Sequence, residues 1–208
     1  MKFFLLIFFQ LFFYDLVSSE EVLEDQEYYK KGVKHYDNGE FAKSFIVFFN
    51  LAEKGDKDSI YNVSNMYYEG IGTTQDYLKS LKYYWLCTLN GNKKCIKKIK
   101  ILKEKLDEKE FMLISEEIVE ILERNFEENL DSISAFKLGY WFEKISPEID
   151  LEKSYLWYSV SVSGGVYKAM KLRDRVGEKL DKDKISQIQK EANDIFTKEK
   201  YFTRKEKK

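Results

Sequence analysis

The chain repeats itself, and that limits its fold more than any other feature. Displaced by 74 positions, Asp76, Lys79, Ser80, Tyr84 and Gly91 fall on Asp150, Lys153, Ser154, Tyr158 and Gly165. The register continues through Glu104-Lys105-Leu106-Asp107, which falls on Glu178-Lys179-Leu180-Asp181. A displacement of 36 carries Phe41, Lys43, Ser44 and Gly55 onto Tyr77, Lys79, Ser80 and Gly91. Repeats of this length imply small supersecondary units that cannot bury an apolar face alone and gain a core by stacking on copies of themselves. The units read as helical. Only one proline occurs in 208 residues, so little interrupts a helix, because proline lacks the N–H and clashes with the preceding turn.

Apolar periodicity and glycine turns predict five antiparallel helix pairs. They cover 22–38 with 41–54, 57–69 with 76–90, 92–106 with 108–125, 131–144 with 150–163, and 166–180 with 182–200. The third and fifth pairs both run basic helix, Leu-Asp turn, polar amphipathic helix, and read as caps. The expected organisation is two tandem modules, 20–128 and 129–200, with a frayed basic tail over 201–208.

Residues 1–19 read as a signal peptide. Lys2 supplies a minimal positive start, Phe3 to Phe13 form an apolar run broken only by Gln10, and Val17-Ser18-Ser19 place small residues before Glu20. A spanning helix needs about 20 apolar residues, and Asp15 ends this run too early; an uncleaved anchor is the other reading. The expected location is therefore exported, either periplasmic or secreted, with no integral membrane segment after cleavage.

Charge narrows the partners. With 35 basic and 36 acidic side chains the formal charge is −1, and a nucleic-acid binder would carry a basic excess to neutralise phosphates. His35 is the single histidine, which excludes a histidine cluster, and neither a metal nor a cofactor is expected. Lys93 to Lys105 contains seven lysines and Asp107 to Glu128 nine carboxylates. This is either a solvated, mutually paired stretch or a basic face for an anionic partner. Cys87 and Cys95 flank Asn90-Gly91-Asn92, a helix stop and turn. In an oxidising compartment they can pair, the alternative being two buried thiols.

Residues 52–92, AEKGDKDSIYNVSNMYYEGIGTTQDYLKSLKYYWLCTLNGN, resemble a Sel-one-like repeat, a relative of the tetratricopeptide repeat. The family pattern falls on Ser59, Val63, Ser64, Tyr67, Gly70, Gly72, Asp76, Lys79, Ser80, Tyr83, Tyr84 and Gly91. In the fourth pair Ser134, Leu138, Gly139 and Phe142 fit the first helix, and Asp150, Lys153, Ser154, Trp157, Tyr158 and Gly165 the second. There Ser146-Pro147-Glu148 replaces the loop glycines. The first pair is closer to a plain tetratricopeptide repeat, with Gly32, His35, Gly39 and Ala42 in packing places. The resemblance implies an all-α, right-handed α-solenoid of antiparallel helix pairs. It also implies that Gly32, Ser64 and Gly139 admit close helix approach, with Tyr83, Tyr84, Trp157 and Tyr158 packing around them. Cys87 and Cys95 stand at facing positions, and their spacing is similar to that of the cysteine-rich exported branch, implying a disulfide. Ser161 and Ala169 occupy those places in the second module.

Candidate chemistry is sparse. Ser134-Ala135-Phe136-Lys137 matches the Ser-x-x-Lys nucleophile motif, without its companion Lys-Thr-Gly. Gly70-Ile71-Gly72 lacks the rest of a phosphate loop and reads as a turn. Asn62-Val63-Ser64 is a glycosylation sequon inside a helix. His35 reads as a core histidine. By analogy with tetratricopeptide repeats, the free face of each first helix lines a concave surface: Tyr29 and Tyr36, then Tyr61, Asn65 and Tyr68, then Phe136, Tyr140 and Glu143. Tyrosine offers large contact area and a polar tip, so these residues form the expected partner-binding set; the other reading packs them against neighbouring pairs. The expected function is an exported scaffold that binds a protein or peptide and is not an enzyme. The alternatives are an exported hydrolase or cell-wall-ligand binder, and a self-associating assembly subunit.

Overall fold

The computed structural model describes residues 23–206, with side chains as far as Lys198; the expected signal peptide lies outside the described residues. Among the described residues the secondary structure is helical and contains no strand. Helix α1 covers 23–37. It is followed by α2 (Phe41–Glu53), α3 (Lys57–Glu69), α4 (Tyr77–Leu89), α5 (Lys94–Lys103) and α6 (Glu108–Asn129). Then come α7 (Ser132–Tyr140), a π-helical turn (Trp141–Ile145), α8 (Leu151–Ser163), α9 (Lys168–Gly177) and α10 (Lys182–Glu206). Helix α10 runs to Glu206, into the expected basic tail.

Aspartates start several of the helices. The side chains of Asp56, Asp76 and Asp150 accept from the backbone N–H three residues on, at Ser59, Lys79 and Lys153. Asp107 and Glu110 form a reciprocal capping box at the head of α6. Each satisfies an N–H that the first helical turn leaves without a partner.

The sequence displacements are met by matching geometry. Ser44 Oγ donates to Gly32 O, Ser80 Oγ to Ser64 O and Ser154 Oγ to Gly139 O, each at 2.9 Å. One buried hydroxyl thus ties the second helix of a pair to the small residue of the first. At Gly139 a Cβ would lie 2.4 Å from Tyr158 Cδ1, so this crossing requires glycine if the ring is to stay in place. Gly55, Gly91 and Gly165 share φ of +90°, +92° and +93°, the left-handed turn that admits glycine freely. Each of these turns hands the chain to the next helix with the same backbone bonds, exemplified by Asp56 N–H to Leu51 O, Asn92 N–H to Cys87 O and Val166 N–H to Ser161 O.

The residues at matching places around those turns, Leu51 and Ser59, Cys87 and Cys95, and Ser161 and Ala169, are all buried. The middle pair is a disulfide, with its Cα atoms 6.2 Å apart.

The chain divides into two compact units between Lys105 and Leu106, ahead of the expected module boundary at 128. In the first unit α2 packs on α3, α3 on α4 and α4 on α5. In the second α6 packs on α7, α7 on α8, and α8 on both α9 and α10. The long acidic helix α6 belongs to the second unit because its stripe of Phe111, Ile114, Ile118, Leu122 and Phe126 is buried there. Phe126 meets Trp157 edge to face, with centroids 5.6 Å apart.

Candidate functional site

The serine bonds to Gly32, Ser64 and Gly139 set a common register for α1, α3 and α7. Three residues before those anchors stand Tyr29, Tyr61 and Phe136; four residues after them stand Tyr36, Tyr68 and Glu143. The eight expected binding residues therefore occupy equivalent places, but their surroundings differ.

In the second unit the row is covered. Phe136 packs 5.9 Å from the Tyr158 ring, and Lys168 Nζ of α9 lies 4.3 Å from the Phe136 centroid. Tyr140 is half-buried. Glu143, expected on a partner-facing surface, has a side chain only 1% exposed. Its carboxylate accepts from Tyr158 OH at 3.0 Å and from Arg175 Nη2 at 2.6 Å, and pairs with Lys144 at 3.1 Å. Burial is the largest single influence on this carboxyl and raises its pKa. The hydrogen bonds from Lys144, Arg175 and Tyr158 together outweigh it and hold the group below its ordinary value. Burial first, then the Glu143 charge, pushes the Tyr158 phenol well up. A carboxyl whose folded pKa is depressed stabilises the fold above the unfolded pKa and loses that contribution as pH falls through the folded value. The second unit should therefore lose urea resistance below about pH 4.5, followed by Trp141 and Trp157 fluorescence. Glu143→Gln should flatten that acid limb and lower stability at pH 7; an unchanged acid limb would show that Glu143 does not contribute.

In the first unit α5 covers part of the row. Tyr68 lies 5.6 Å from Tyr77, Lys98 Nζ sits 4.8 Å from the Tyr68 centroid, and Lys105 Nζ sits 5.1 Å from the Tyr77 centroid. Tyr61 is half-buried, and its carbonyl accepts from Asn65 Nδ2. Asn65 Oδ1 accepts from Tyr84 OH at 2.8 Å, so Asn65 is tied into the packing on both sides of its carboxamide.

Between α1 and α3 the row opens. A pocket of about 390 Å³ is walled by Tyr29, Tyr36, Asn62, Asn65 and Glu69 and floored by Val33, Phe48, Met66 and Ile71. Tyr29 is positioned by Phe48, 5.3 Å away between centroids, and by Asn62 Nδ2, which donates to its hydroxyl at 3.2 Å. Tyr36 is 40% exposed and meets Phe41 edge to face at 5.1 Å. An apolar, aromatic concavity with few polar groups is the usual constitution of a small binding site. Of the eight expected residues the pocket brings together Tyr29, Tyr36 and Asn65. Tyr61, Tyr68, Phe136, Tyr140 and Glu143 do not line it.

The other candidates have structural surroundings. Ser134 is buried, and its hydroxyl donates to Asp131 Oδ2 at 2.6 Å, at the head of α7. In the sequon, Ser64 is fully buried and Asn62 is engaged with Tyr29. His35 is half-buried rather than core and pairs with the Glu40 carboxylate. Among the described residues no three His, Cys, Asp or Glu side chains are grouped to hold a metal.

Val33, Asn62, Glu69 and Ile71 enlarge the site beyond the expected set. A signal for two of them was present: Asn62 and Glu69 stand 36 positions before Lys98 and Lys105, a reversal from cation to amide or carboxylate within the repeat. None of the described helices is long and apolar enough to cross a membrane. No protein-family model matches the chain, and no curated protein matches it as a relative.

Proposed function

We propose that this chain is an exported scaffold of Sel-one-like repeats, stacked as a right-handed solenoid, that binds a protein or peptide through the first helix of its opening pairs. The pocket between α1 and α3 carries the reading. It gathers Tyr29, Tyr36 and Asn65 from the expected recognition row around an apolar floor, whereas the corresponding rings farther along are covered by lysines of this chain. The disulfide between Cys87 and Cys95 supports an oxidising compartment. Recognition would use a surface preorganised by packed helices, which lowers the ordering cost of association. Val33 and Tyr36 are both exposed, so Val33→Ser with Tyr36→Ala should leave the melting temperature within about 2 °C of the parent. The same variant should lose capture of the partner identified by affinity isolation and mass spectrometry from the native compartment. Undiminished capture would overturn the assignment to this pocket.

A further inference from the structure

We infer that the pocket between α1 and α3 receives a lysine or arginine side chain of a peptide partner. The cation sits between the Tyr36 ring and the Glu69 carboxylate, and the neighbouring apolar residue rests on Val33, Phe48, Met66 and Ile71. This rests on the peptide-binding reading above and names the chemistry of the partner.

The later pairs show what this position takes. In the second pair, the place of Tyr36 is held by Tyr68, and two cations of the chain itself approach it: Lys98 Nζ at 4.8 Å and Lys105 Nζ at 6.0 Å from the ring centroid. In the second unit that place is held by Glu143, and Arg175 binds its carboxylate at 2.6 Å. Both covered copies are thus closed by a cation from the segment that follows. The first pair lacks it. Where α5 and its end carry Lys98, Ile101 and Lys105, α3 carries Asn62, Asn65 and Glu69, each 36 positions earlier. Among the described residues no lysine or arginine is placed over Tyr36, whose neighbour is the edge of Phe41.

The polar groups of the pocket agree with this occupant. Asn65 is bonded through both ends of its carboxamide, and Asn62 donates to Tyr29. Glu69 is the one charged group among the described residues that line the pocket. A cation placed on an aromatic face and beside a carboxylate gains from both, the more so when partly desolvated. An acidic side chain would meet like charge with no lining cation to offset it.

The test is an NMR titration of the isotope-labelled protein with the blocked hexapeptide Ala-Ala-Phe-Lys-Ala-Ala and its counterparts with glutamine or glutamate in place of lysine. The side-chain amides of Asn62 and Asn65 are the reporters. The lysine peptide should bind about tenfold more tightly than the glutamine peptide, with the glutamate peptide weakest. Glu69→Lys should reverse that order. Tyr36→Leu should weaken the lysine peptide about fivefold, and more than it weakens the glutamine peptide. Both positions are exposed, and an unaltered spectrum away from the pocket verifies that the variants fold. Equal affinities for the lysine and glutamine peptides, a preference for glutamate, or a lysine preference that survives Glu69→Lys would overturn the cation assignment while leaving a peptide site. Silence of both amides towards all three peptides would overturn the peptide-binding reading as well.

Discussion

Tyr158→Ala should destabilise the second unit by about 3–5 kcal/mol, the cost of deleting a fully buried aromatic side chain. The ring packs against Gly139 and Phe136 and is wholly buried. Its removal opens a cavity where α7 and α8 cross. It also withdraws the hydroxyl that donates to Glu143. Tyr158→Phe separates the two effects: the packing survives, and the loss should fall to about 1–3 kcal/mol, the cost of a buried acceptor deprived of one donor. Urea titration followed by Trp141 and Trp157 fluorescence reads the second unit, while Trp85 reports the first. A loss below about 1 kcal/mol for the alanine variant would show that the crossing is not held by this ring.

The disulfide gives the second large effect. Replacing Cys87 and Cys95 together by alanine should cost about 2.5 kcal/mol on the chain-entropy estimate for a closed loop of nine residues. The third turn offers the reverse experiment. Ser161 and Ala169 are related by the same separation of 8 as the bridged cysteines, across a turn with the same glycine conformation. Ser161→Cys with Ala169→Cys should therefore form a second bridge under oxidising conditions. The hydrogen bond from Ser161 Oγ to Ser132 O is lost, removing about 1 kcal/mol, so a net gain of about 1.5 kcal/mol is expected on oxidation. Thiol titration and melting with and without reductant measure both changes. Two free thiols in the oxidised variant would show that the turns are not equivalent.

Much of the fold was legible along the chain because it rests on local rules. The aspartate caps, the glycines after each second helix and the low proline content each act within one turn of backbone, so α3 and α8 begin and end within a residue of their expected limits. The unit boundary was less legible. Leu-Asp followed by a polar amphipathic helix appears at both 106–107 and 180–181, and reads as an ending each time. Which helix buries the Phe111 to Phe126 stripe depends on contacts with Trp157 and its neighbours, and no local pattern encodes that choice. Three of the eight expected residues line one pocket. Register alone puts Tyr29, Tyr36 and Asn65 in the same set of places as Glu143, and only the packing around each separates them.

What the sequence determined by itself is the recurring order of helix, small residue and glycine turn; it left Cys87 and Cys95 either paired or as two buried thiols, and the structure pairs them. What tertiary structure decided is which copies of one position stay open. Tyr36, Tyr68 and Glu143 each stand four residues after the carbonyl that accepts the interhelical serine bond. Lys98 and Arg175 close the latter two because long side chains reach across from the first helix of the following pair, and at Tyr36 the facing helix offers Asn62 and Glu69 instead. Such reach is a property of packed neighbours in space, so two residues with the same place in a repeat can end as core and as exposed surface.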